Sequence, residues 1–204
     1  MQVTLPEQAL PAKLTLNPRL RIKDDDEYWA FCAANPDVRF ERTARGEIVI
    51  VPPVGGEGDF RNMEVSSSLG VWSKKDGRGK AFGPSVEFIL PSGAARSPDA
   101  SWVSNGRLAK LTKEQRRKFL RLCPEFIVEV MCPSDRLKDA KEKMAEWMAN
   151  GVQLGWLIDG DRQTVYIYRA GQGEPEKRTG IKRLAGEDPI PGFVLDLADI
   201  WAGL

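Results

Sequence analysis

Apolar and polar positions are patterned most sharply between Pro124 and Asp159. Over Pro124 to Met131, β-branched and aromatic residues dominate, which predicts a strand. Side chains alternate along it, so Phe126, Val128 and Val130 share one face and Ile127, Glu129 and Met131 the other. Cys132-Pro133-Ser134-Asp135 breaks the strand and is expected to cap a helix from Ser134 to Asn150, stopped at Gly151. Leu137, Ala140, Met144, Trp147 and Met148 form its apolar stripe. Val152 to Asp159 reads as a second buried strand. Strand, return helix and strand make one parallel βαβ unit. Glu129 is its anomaly: a carboxylate among apolar neighbours is costly unless something pairs with it.

The rest of the chain carries weaker patterns. Residues 1–23 hold Pro6, Pro11 and Pro18 with little periodicity and are expected to form an extended arm. Asp24 to Asn35 predicts a short helix with an acidic start. Val38 to Arg42 and Glu47 to Val51 predict a hairpin. Glycines 55, 56 and 58 read as a spacer loop; the lysine of a phosphate-binding loop is missing. Asp59 to Lys75 predicts a second helix. Lys80 to Leu90 gives one or two strands and Ser97 to Val103 the next. Leu111 to Phe119 is expected to be a charged, exposed helix. Thr164 to Arg169 should pair with Leu154 to Asp159 across Gly160-Asp161. A short strand near Ile181 to Leu184 and a tail packing Phe193, Leu195 and Trp201 complete the pattern. With no repeat and no second boundary, residues 24–204 are expected to form one domain.

Composition narrows the chemistry more than the fold. The 204 residues suffice for one well-buried core, and a net charge of +1 gives no global attraction to nucleic acid or anionic membrane. Three cysteines without metal-ligand spacing fit a reducing cytoplasm better than a disulfide framework. No apolar run approaches the roughly 20 residues that span a bilayer. The N-terminus lacks the layout of a secretion signal, so the expected location is cytoplasmic, with no membrane partner. Histidine is absent. That removes Ser–His and Cys–His nucleophile pairs and histidine-ligated zinc, leaving acid–base and metal work to other side chains.

Asp99 follows Pro98 at the start of a predicted strand, and Glu129 lies inside another. Two carboxylates on neighbouring strands form an oxygen site suited to Mg²⁺. A nearby lysine can orient a water or offset phosphate charge. Nine helical steps from Ser134 to Lys143 cover about 13 Å. The strand from Cys132 back to Glu129 covers about 10 Å, so a helix folding back brings Lys143 roughly level with Glu129. Lys141 is level as well, and geometry alone does not choose between them.

These residues resemble the PD-(D/E)XK nuclease superfamily and, within it, the Uma2 family of endonuclease-like proteins, a domain of unknown function. The resemblance is most specific over residues 96–103, 124–130, 142–144 and 150–159, and extends over roughly 24–202. It implies an α/β fold of restriction-endonuclease type: a mixed central sheet flanked by helices, here with an N-terminal helix and hairpin. The superfamily lysine two residues after the acid is Met131 in this chain. The resemblance implies that its place is taken by Lys143. It also implies Mg²⁺ (or Mn²⁺) held by Asp99 and Glu129, DNA as partner, and Glu64 as a further acidic residue on the preceding helix. A homo-oligomer is left open.

Taken singly, each residue has a plainer reading. Asp99 suits a turn, Glu129 a structural partner of an arginine such as Arg96, Lys143 a solvated helix position, and Glu64 a structural role. The expected function is metal-dependent hydrolysis of DNA phosphodiester bonds. The rival is a nuclease-like fold that binds nucleic acid or regulates without cleaving. The neutral overall charge favours the rival. The clusters Lys74, Lys75, Arg78, Lys80 and Arg116, Arg117, Lys118, Arg121 favour the enzyme. Hydrolysis of another phosphate ester is a third reading.

Overall fold

The apolar segments on either side of Gly151 pair as parallel neighbours, as the βαβ pattern requires. The computed structural model describes the backbone at residues 15–16 and all of residues 22–204. The arm expected over residues 1–23 lies outside the described residues apart from these positions. The first half holds β1 (Thr15–Leu16), α1 (Asp25–Ala33), β2 (Arg39–Arg42), β3 (Ile48–Val51), α2 (Gly56–Asp76), β4 (Gly79–Phe82), β5 (Phe88–Ile89) and β6 (Ala95–Arg96). Next come β7 (Ala100–Ser104), α3 (Asn105–Ala109), β8 (Phe126–Val130), α4 (Leu137–Ala149) and β9 (Leu154–Asp159). The chain continues through β10 (Thr164–Arg169), β11 (Glu176–Thr179), β12 (Arg183–Ala185), β13 (Val194–Asp196) and α5 (Ala198–Ala202).

The central sheet has the order β11-β10-β9-β8-β7-β4. β8 and β9 are parallel, because α4 carries the chain back along β8, and the other neighbours are antiparallel. This is the mixed, helix-flanked α/β sheet expected. One face packs Phe126, Val128, Trp156 and Ile158 under Val65 and Leu69 of α2 and Phe193 and Ile200 of the C-terminal segment. The other packs Ile127, Met131 and Leu157 under Met144 and Trp147 of α4. Glu129 shares that second face, which is the alternation read from sequence. A second sheet, β1-β3-β2-β6-β5, packs with α1 around Tyr28, Phe40 and Ile48.

Several expected boundaries move. α2 begins at Gly56 rather than Asp59, so the glycine stretch is helix and not a spacer. A Cβ on Gly58 would come within 2.9 Å of Cys132 Sγ, so glycine lets α2 approach the end of β8. α4 begins at Leu137 rather than Ser134, because the Asp135 carboxylate accepts the Cys132 N–H at 2.8 Å and shapes a separate turn. The strand expected over 97–103 begins only at Ala100, after Pro98, as β7 of the central sheet, and Ala95–Arg96 just before it forms the unexpected β6 of the second sheet. The helix expected over 111–119 is instead a short 3-10 turn at Gln115–Arg117 after α3. Its run of like charges has no apolar stripe to bury, and packing of such a stripe supplies most helix stability.

Candidate active site

β7 and β8 are antiparallel with Ala100 opposite Val128, and one further step of that register sets Asp99 beside Glu129. Asp99 is fixed from two directions. Its carboxylate accepts the Val130 N–H at 2.8 Å and the Asn62 side-chain amide of α2 at 3.1 Å. The Ser66 hydroxyl, one helical turn on, donates to the Asp99 carbonyl at 3.2 Å. Glu129 faces α4. It accepts the Trp147 indole N–H at 2.8 Å, and Lys143 Nζ lies 2.9 Å from one carboxylate oxygen and 3.0 Å from the other. Lys143 and Trp147 are four apart on α4, so both reach one carboxylate from one helix face. Lys143 also donates to the Ser97 carbonyl at 3.2 Å, just before Asp99 in the chain.

The candidate residues read from sequence separate clearly. Asp99, Glu129 and Lys143 come together. Lys141 turns away, its ammonium 4.7 Å from the centre of the Tyr166 ring. Glu64 stands two positions from both Asn62 and Ser66, roughly the opposite side of α2. Among the described residues its carboxylate enters no ion pair or hydrogen bond, and Asn62 occupies the position facing Asp99. Arg96 pairs with Glu41 at 3.0 Å and Glu146 at 2.6 Å, not with Glu129.

Two residues of the site went unread in the sequence. Glu41 of β2 is buried, accepts the Ser97 N–H at 3.2 Å and lies 3.6 Å from Lys143 Nζ. It ties the second sheet to the segment carrying Asp99. Its signal was available: like Glu129, it is an acid next to an apolar residue in a predicted strand. Asn62 also had a signal, since Asn62, Ser66 and Leu69 follow helical spacing on the face that α2 buries.

Electrostatically the site is over-supplied with acid. Glu41, Asp99, Glu129 and Glu146 face Lys143 and Arg96, leaving two formal negative charges without a partner. Burial pushes Glu129 up to about 7; Lys143 opposes the shift, and the charges of Asp99 and Glu41 add to it. Burial also raises Asp99, opposed by Lys143 and the Val130 N–H. At Glu41 burial is outweighed by Lys143 and Arg96, which hold its carboxyl below the ordinary value. Lys143 is raised: burial favours the neutral amine, but Glu129, Glu41 and Asp99 together outweigh it. The Lys143 side chain is 29 % exposed, with its ammonium turned inward to these carboxylates.

A fold of this kind occurs in a solved structure described as "a putative nuclease belonging to DUF820" from Anabaena variabilis. The two align with a TM-score of 0.67 at 21 % identity, covering 80 % of this chain and 89 % of that one. The likeness defines the class: an α/β fold of nuclease type. Residues 25–198 match the model of the Uma2 family, described as "Putative restriction endonuclease", and the chain belongs to that family. No functionally curated protein matches it.

Proposed function

We propose that this chain is a metal-dependent endonuclease hydrolysing DNA phosphodiester bonds, with Asp99 and Glu129 as metal ligands and Lys143 as the site lysine. The observation that carries the reading is the juxtaposition of Glu129 and a part-exposed Lys143 beside Asp99, on elements distant in sequence. The donor set fits a hard cation such as Mg²⁺ or Mn²⁺. It offers carboxylate oxygens, two unbalanced negative charges, and a buried Asn62 Oδ1 with no hydrogen-bond partner. Among the described residues no three acidic or cysteine side chains gather as a metal cage. Two carboxylates plus water suit Mg²⁺, which keeps several waters.

When bound, such an ion supplies Lewis-acid polarisation of a phosphate oxygen and a more acidic water. The chain's own residues do the positioning. The Val130 N–H and the Asn62 amide fix Asp99, and Trp147 fixes Glu129. Lys143 is held protonated, so it acts as a charged donor to a phosphate oxygen rather than as a base. Lys74 and Lys80 are exposed and suit a phosphate backbone. The second basic cluster is partly committed elsewhere, since Lys118 and Arg121 bridge to Asp25 and Asp26 of α1.

The binding-module reading draws support from Lys143 itself, whose ammonium is already shared among Glu129, Glu41 and the Ser97 carbonyl. Incubating the protein with supercoiled and single-stranded DNA, with Mg²⁺, Mn²⁺ or a chelator, tests the choice. Metal-dependent nicking that chelation stops is the expected result. Binding without cleavage under every metal would favour the module.

A further inference from the structure

α2 turns Asn62 and Ser66 toward Asp99 and buries Val65 and Leu69 in the core. On its outer side, Asp59, Met63, Ser67, Val71 and Lys75 are all exposed. They stand four residues apart, so they form one continuous ridge along the helix. Met63 is 60 % and Val71 57 % exposed, unusual for large apolar side chains. Beside Val71, a groove of about 520 Å³ is lined by Ser67, Ser68, Trp72, Phe193 and Val194, the last itself 52 % exposed. Three of the six large apolar side chains exposed among the described residues thus meet on this one face.

The order of residues along the ridge identifies what covers it. Read outward from Ser67, the ridge has Met63 on one side and Val71 on the other, then Asp59 and Lys75. Asp59 and Lys75, at the two ends of the ridge, enter no ion pair among the described residues; Glu57 and Asp76 are paired with Arg61 and Arg78, and the unpaired Glu64 and Lys74 lie off the ridge. Laid antiparallel on its own copy, the ridge sets Asp59 against Lys75, Met63 against Val71 and Ser67 against Ser67. A parallel copy would set like charge on like charge, and a polyanion would meet the acidic end. Gly70 keeps the approach open, since a Cβ there would meet nothing within 4 Å.

We infer that this face of α2 binds a second copy of the chain, antiparallel about a two-fold axis through Ser67, with Met63 of each copy seated in the groove beside Val71 of the other. Such an isologous contact uses the same patch twice. Methionine, flexible and polarisable, suits an irregular groove. The inference does not depend on the site being a nuclease.

Sedimentation equilibrium of the full chain tests it. The unaltered protein should dimerise, and Met63→Asp should be monomeric, with the melting temperature that the unaltered protein shows when diluted to monomer, because Met63 contributes little to the folded monomer. Asp59→Lys and Lys75→Asp should each weaken association by roughly tenfold or more, and the double variant Asp59→Lys/Lys75→Asp should restore it. Only an antiparallel pairing rescues the double swap. A monomeric unaltered protein, a dimer that survives Met63→Asp, or a double swap no better than the single ones would each overturn the inference.

Discussion

Two buried glutamates, Glu129 of the candidate site and Glu87 just before β5, show how differently two buried carboxylates can be compensated. Glu129 and Glu87 are 8 % and 6 % exposed, and burial raises both, to about 7 and about 8. Their compensation differs. Glu129 has a lysine ammonium, an indole N–H and a second carboxylate beside it. The side-chain partner of Glu87 is the neutral Tyr28 hydroxyl at 2.8 Å, whose own pKa is raised by burial and by Glu87. Arg42 lies over the Tyr28 ring, 4.8 Å from its centre, and closes that pocket. A strained carboxylate alone is therefore no mark of function. Glu87 feels Arg39, Arg42 and Glu41 only at a distance, whereas Glu129 is singled out by a cation in direct contact, Lys143 at 2.9 Å, and by Asp99 on the adjacent strand.

The largest way to break this comparison is at the metal. Asp99→Asn and Glu129→Gln should each weaken Mn²⁺ binding by more than about tenfold in calorimetry, while Glu87→Gln leaves it unchanged. Equal affinity in all three would remove the distinction. The next effect is on pH dependence. Glu87 has a folded value of about 8, above the ordinary 4.5, so the native state binds more protons between them. Its contribution to stability is full below 4.5 and lost as pH rises through about 8. The slope reaches at most about 1.4 kcal/mol per pH unit. Glu129 also titrates near 7, so Glu87→Gln should reduce, without abolishing, the fall in urea-denaturation stability as pH rises through about 8. A slope unchanged by that substitution would show that Glu87 is ionised in the fold.

A smaller effect follows from removing the hydroxyl. Tyr28→Phe leaves Glu87 without its side-chain donor and should cost about 1–3 kcal/mol, with Mn²⁺ affinity untouched. Loss of metal binding in this variant would show that Glu87 acts on the candidate metal site through Glu41. The smallest effect is expected at Lys141. Lys141→Ala forfeits the contact with Tyr166, worth about 0.5–1 kcal/mol, and should leave DNA cleavage as it was.

The sequence carried the central unit well because its signals are local. Strand alternation placed Glu129 on the face that α4 covers, and the apolar stripe placed Met144 and Trp147 there too. Helical rise could not separate Lys141 from Lys143, since both lie level with Glu129. Rotation about the helix separates them, and Tyr166 captures the one that β10 faces. The short strand Ala95–Arg96 was not legible, because its pairing is decided by β2, far away in the chain. Glu41 carried the same strand signal as Glu129, but with only Phe40 as an apolar neighbour its burial was not legible before the second sheet packs around it. Glu64 drew attention as an acid, yet the helix phase gives its place to Asn62.

The most direct test of the proposed centre is the turnover of Lys143→Ala in metal-dependent DNA cleavage, read beside its Mn²⁺ affinity. Lys143 donates charge without ligating a metal, so its loss should act on the chemical step. Cleavage should fall by roughly a hundredfold or more, with DNA and Mn²⁺ affinity largely kept. Cleavage by Lys143→Ala at the rate of the unaltered protein would contradict the account.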